Sequence, residues 1–104
     1  MQPFCVVVPV PNAGTPVRLT TDDSIACVSL LIKALASNAG PSVYVGRAAN
    51  FNAVSGANLI ADINGGDQSF LIQASDGANR IIPAQYWLDA AVSGDKLIVT
   101  YWVG

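Results

Sequence analysis

Histidine and glutamate are absent from this chain of 104 residues, methionine occurs once, cysteine twice, and charged residues make up only 12% of it. Without histidine or glutamate, few general bases remain, and a serine nucleophile lacks its usual partner. The G-x-S-x-G elbow is missing as well. Cys5 and Cys27 show no C-x-x-C spacing and have no histidine to complete a zinc site. Two buried reduced thiols are the simplest reading, with one disulfide between the first and third strands as the alternative.

The five cations, Arg18, Lys33, Arg47, Arg80 and Lys96, are scattered singly. No basic stripe exists to neutralise phosphates, which argues against a nucleic-acid partner. No apolar run is long enough for a membrane helix, and Met1-Gln2-Pro3-Phe4 lacks the positive region of a signal peptide. The expectation is a protein made in a reducing cytoplasm, without a membrane partner, that later joins something else.

What the chain does have is apolar bulk, 52% of its residues, including 15 alanines. Ordinary soluble domains carry roughly 25% charge. Two readings account for the shortage here. One is a tightly packed domain with a neutral Ser/Thr/Asn/Gln surface; the other is a surface sealed by neighbouring molecules, where charge is depleted. All seven acidic residues are aspartate, the residue of turns and caps rather than helix interiors.

Strand-like runs alternate with Gly, Pro, Asn and Asp clusters, which predicts an all-β chain. Strands are expected over 5–10, 16–20, 42–47, 58–63, 68–74, 80–82, 87–91 and 96–103. Residues 25–36 have helix-forming side chains, but their alternation favours a strand buried on both faces. Pro9 and Pro11 put the end of the first strand at a sheet edge. Residues 87–91 and 96–103 read as a closing hairpin around Ser93-Gly94-Asp95-Lys96, so that the chain ends on an aromatic, β-branched strand made for a core or a contact. The fold expected is a single antiparallel β-sandwich, jelly-roll or immunoglobulin-like, of about seven or eight short strands, spanning 1–104 as one domain.

Smaller signals are ambiguous. Asn-Ala-Gly occurs at 12–14 and again at 38–40, suggesting two similar turns. Asp62-Ile63-Asn64-Gly65-Gly66-Asp67 resembles the start of a calcium loop but departs from it at Gly66 and Gln73. Aspartate pairs, Asp62 with Asp67 or Asp22 with Asp23, are the only enzymatic option, and turn chemistry accounts for them equally well. Tyr86, Trp87, Tyr101 and Trp102 could form a sugar platform. Alternation, however, sends Tyr101 and Trp102 to opposite faces, one to the core and one to a contact.

The order of motifs, an apolar strand ending in Asn38-Ala39-Gly40, then Val43-Tyr44-Val45-Gly46, Gly65-Gly66-Asp67-Gln68-Ser69-Phe70, Trp87-Leu88-Asp89-Ala90-Ala91, Ser93-Gly94-Asp95-Lys96-Leu97 and Thr100-Tyr101-Trp102, resembles small β-sandwich structural proteins of tailed bacteriophage virions. It covers about three quarters of the chain, and only the order of the motifs carries the likeness. The resemblance implies a capsid decoration (cement) protein located in the virion, assembled in the bacterial cytoplasm, without catalytic residues, cofactor or metal. Its partners would be the major capsid protein or another virion protein, and itself as a dimer or trimer. The alternative within the resemblance is a tail- or fibre-associated host-recognition or carbohydrate-binding module. With no extra domain, coiled coil or tail anchor, the chain fits free-standing decoration better. Contacts are expected on the N-terminal segment 1–11, the loop 47–56 and the last strand, with Phe4, Val8, Pro9, Arg47, Phe51, Asn52, Tyr101 and Val103 as interface candidates.

Overall fold

A computed structural model describes residues 2–35, 37–64, 69–74 and 80–103. It is all-β: eight strands in two four-stranded antiparallel sheets, packed as a single β-sandwich. The strands are β1 (Gln2–Pro9), β2 (Val17–Arg18), β3 (Ser29–Ala34), β4 (Ser42–Gly46), β5 (Leu59–Asn64), β6 (Ser69–Gln73), β7 (Trp87–Ala90) and β8 (Lys96–Val103), with a 3₁₀ turn at Pro83–Gln85. Sheet A has the order β1-β8-β3-β6 and sheet B the order β2-β7-β4-β5.

Period-two alternation builds the core. On β3, Leu30, Ile32 and Ala34 face inward and are buried, as are Leu97 and Val99 of β8. From sheet B, Val43, Val45, Leu88, Ala90 and Ile63 meet them. The segment 25–36 is indeed a strand in its second half. Its first half makes a single bridge, Cys27 with Ile81, which is what remains of the strand expected over 80–82.

The expected closing hairpin does not form. β7 pairs with β2 and β4 in sheet B, whereas β8 pairs with β1 and β3 in sheet A, so the turn between them carries the chain across the sandwich. Non-local bonds decide this: Val10 N–H donates to the Asp95 carbonyl at 2.9 Å, and Gly94 N–H donates to the Val10 carbonyl at 2.8 Å. Gly94 has φ of 89°, a conformation that glycine adopts without a Cβ penalty.

Two buried carboxylates fasten the crossover. Asp95 accepts from Ala39 N–H at 2.9 Å and Gly40 N–H at 2.8 Å, and Asp89 accepts from Gly14 N–H at 3.0 Å. The two Asn-Ala-Gly turns are thus each held by one aspartate of the 87–103 segment. Asn38 completes its turn with a pair of amide bonds to the Lys96 backbone, 2.7 Å to the carbonyl and 2.9 Å from the N–H.

The thiols are both free, but only Cys27 is buried; Cys5, expected to be buried as well, is exposed because β1 is an edge strand. Burial pushes the Cys27 thiol up from its ordinary range, which keeps it out of the reactive thiolate form. Iodoacetamide should therefore label Cys5 in the native protein and Cys27 only after unfolding. Equal labelling of both under native conditions, read by mass spectrometry, would contradict this packing.

Candidate interaction surface

β1 is an edge strand of eight residues that is apolar on both of its faces. An edge strand normally turns one face to solvent, so a two-sided apolar edge is a surface prepared for contact. Phe4 is 41% exposed, Val6 42% and Val7 51%, and Cys5 is exposed beside them. The inner side of β1 is uncovered because β5 and β6 approach each other at one end of the sandwich, leaving β1 and the two-residue β2 at the other. So short a strand gives Phe4 and Val6 little to pack on.

The register extends this surface across sheet A. Cys5 lies opposite Thr100, Thr100 opposite Leu31, and Leu31 opposite Leu71, forming one row on the outer face. The rows beside it hold Val7, Ile98, Lys33 and Ser69, and Pro3, Trp102, Ser29 and Gln73, so the face turns polar toward β6. Leu71 is 50% exposed, although its strand neighbours Phe70 and Ile72 pack on the core. Lys33 and Lys96 supply the charge of this face. The outer face of sheet B is different in kind: Arg18 lies opposite Trp87 in one row, and Asp89, Tyr44 and Asp62 follow one another in the next but one, so it carries charge of both signs.

The interface candidates separate into two groups. Phe4, Tyr101 and Val103 meet at a groove of about 540 Å³ with Ile25 and Ala26. Tyr101 turns inward and packs on the core, its ring stacked on Phe4 at 5.4 Å between centroids. The outward residue of the Tyr101-Trp102 pair is therefore Trp102. Val8 packs on the core from β1, and Pro9 is exposed.

The second group sits on the loop 47–58, apart from the first. Phe51 is buried against Gly46, where an added Cβ would overlap its ring, so it anchors the loop instead of presenting a surface. Asn52 is exposed, but its side-chain oxygen accepts from Val54 N–H at 2.8 Å and Ser55 N–H at 3.0 Å. Arg47 is exposed, bonds Asn58 at 3.3 Å and borders a cleft of about 640 Å³ with Ile60, Gln85, Tyr86 and Trp87. At the loop tip Val54 is 99% exposed.

The aspartates read as possible chemistry are placed as follows. Asp22 accepts from the Ser24 N–H and hydroxyl, which hold its carboxyl below the ordinary range. Asp62 is exposed on the outer side of β5 opposite Tyr44. Asp67 and the glycines of the calcium-like loop lie outside the described residues.

No family model matches the chain, and neither the curated proteins nor the solved structures contain a match to it. The surface must therefore be interpreted from its own chemistry.

Cys5, Val7 and Leu71 are members that sequence reasoning passed over, whereas Trp102 is one of the two residues it offers for a contact. A signal for the first two was present: Phe4-Cys5-Val6-Val7-Val8 is apolar at both parities, the pattern of a central strand, while Pro3 and Pro9 confine it to an edge. A strand meeting both descriptions has more apolar surface than its own sheet can cover.

Proposed function

We propose that this protein is a structural adhesion domain of a bacteriophage particle, a capsid decoration protein that binds the head lattice through protein contacts. The observation that carries the reading is the largely apolar surface formed by β1 and the adjoining outer face of sheet A, on a sandwich that carries little charge. Such a surface provides shape and desolvation without chemistry, and Lys33 and Lys96 would favour an acidic rim on the partner. The resemblance of the motif order to that of small virion sandwiches supports the biological setting.

Co-sedimentation with heads of the cognate phage, stripped of small accessory proteins, tests the proposal. The expected result is saturable binding at a fixed ratio to the major capsid protein, together with heads that resist heat or chelation longer. A protein that stays in the supernatant at all concentrations would refute it.

The cleft beside Trp87 favours one second reading, host recognition through a carbohydrate. Tyr86 and Trp87 there offer aromatic faces next to the polar groups of Arg47 and Gln85, the combination that sugar binding uses. Binding to a glycan array that Trp87→Ala abolishes would move the assignment to that role.

A further inference from the structure

We infer that β1 is a homodimerisation strand, pairing antiparallel with β1 of a second copy about a two-fold axis at Val6. This concerns the free edge of sheet A and does not depend on the phage reading.

The argument starts from which backbone groups are free. Val10 N–H donates to the Asp95 carbonyl, so Val10 points its hydrogen-bonding groups toward the β8 side. Alternation then turns Val8, Val6 and Phe4 to β8 and leaves Pro3, Cys5, Val7 and Pro9 facing outward. Of these four, the two prolines have no N–H. The open edge therefore carries only two donors, at Cys5 and Val7, placed symmetrically about Val6, with acceptors at all four positions.

This pattern is self-complementary. With Val6 opposite Val6 of a second copy, Cys5 falls opposite Val7 and Val7 opposite Cys5. Each of these pairs exchanges two bonds, so all four donors of the two edges are satisfied. The prolines fall opposite each other, where neither has an N–H to satisfy. A shift of one residue in the pairing would misalign the donors, and a shift of two would place a proline, with no N–H to give, opposite the Cys5 or Val7 carbonyl. Charge offers no obstacle, because the first charged residue of the chain is Arg18. An isologous contact of this kind closes after two copies, which blunts an edge that would otherwise invite open-ended association. The half-exposed Phe4 and Val6 side chains would be covered in the same step, and the two sheets would join into one of eight strands.

Two variants and one mass measurement test the inference. At about 100 µM, a concentration suited to the weaker class of specific interfaces, sedimentation equilibrium should report twice the monomer mass of 10.8 kDa. Val7→Pro deletes two of the four bonds by symmetry but removes no N–H that bonds β8, so it should sediment as a folded monomer with its thermal transition retained. For register, Val6→Cys in a Cys5→Ser background places two thiols across a non-hydrogen-bonded pair. The Cα atoms there are about 4.5 Å apart, within disulfide reach. Mild oxidation should give at least about tenfold more covalent dimer than Phe4→Cys or Val8→Cys in the same background, whose thiols lie on opposite sides of the axis.

The cross-linking result stands whether or not Val7→Pro folds. A chain that remains at 10.8 kDa, or one that cross-links equally from positions 4, 6 and 8, overturns the inference. So does a chain that is monomeric alone but whose Cys5 and Val7 amides become protected from exchange on heads. That outcome would give the edge to a strand of a capsid protein while leaving the decoration role intact.

Discussion

Asp95→Ala is expected to lower the unfolding free energy by about 2–4 kcal/mol, or on the order of 10–20 °C in the melting temperature of a domain this size. Asp95 is 5% exposed, and its two carboxylate oxygens each accept one backbone N–H, from Ala39 and Gly40. Alanine would remove both acceptors at once and leave the 38–40 turn with the Asn38 bonds to Lys96 and the Asn38 N–H bond to the Leu35 carbonyl. Gly40 adds to the effect, because an added Cβ there would lie 2.8 Å from Val92 and 3.0 Å from the Asp95 carboxylate; the turn fits against the carboxylate with no room to spare. Asp95→Asn keeps one acceptor oxygen and turns an NH₂ toward the other N–H, so it should lose at least half as much stability. Equilibrium urea unfolding checks the pair, and an Asp95→Ala midpoint equal to wild type would contradict the pinning role.

Gly46→Ala should cost about 2–4 kcal/mol, well above the usual effect of glycine to alanine in a strand, which is stabilising if anything. The reason is steric rather than conformational. A Cβ at Gly46 would overlap Phe51 at Cβ and Cγ as well as the ring edge, so a rotamer change cannot relieve it and the loop backbone must move. Phe51→Ala alone should cost about 3–4 kcal/mol through the lost packing. The double variant should then cost less than the sum of the two single losses, because the Cγ and ring that the added Cβ overlaps are gone and only the Cβ of residue 51 remains close to it. Additive losses in this double-mutant cycle would show that Gly46 and Phe51 do not constrain each other.

Most strands were legible in the sequence because glycine, proline, asparagine and aspartate punctuate them, and β1, β4, β6 and β8 fall close to where alternation and turn residues put them. The connection from β7 to β8 was not, since Ser93-Gly94-Asp95 would serve a hairpin or a crossover equally well. What distinguishes them is the capture of residues 94 and 95 by Val10, more than eighty positions away in the chain. The paired Asn-Ala-Gly turns were visible as similar, while the buried aspartates that hold them were not, because a carboxylate's partners are a tertiary property.

The candidate surface divides in the same way. Alternation separated Tyr101 from Trp102 but could not say which ring turned inward; the stack with Phe4 settles that. Phe51 looked like a contact residue because nothing in its neighbourhood announces the space above Gly46. The outer face of sheet A depends on four strands being in register, so Leu71 and Thr100, 29 positions apart in the numbering and both opposite Leu31, become neighbours on one face only once the sheet exists.

Head binding by face-specific variants tests the central claim most directly. Leu71→Lys and Thr100→Lys each place a charge on the outer face of sheet A, and Tyr44→Lys places one on the outer face of sheet B, all at partly or fully exposed positions. Co-sedimentation with stripped heads should fall at least about tenfold for either sheet A variant, as expected for a charge inserted into a desolvated contact, and stay at the wild-type level for Tyr44→Lys. Binding that survives both sheet A substitutions, or that only Tyr44→Lys abolishes, would contradict the assignment of sheet A as the adhesive face.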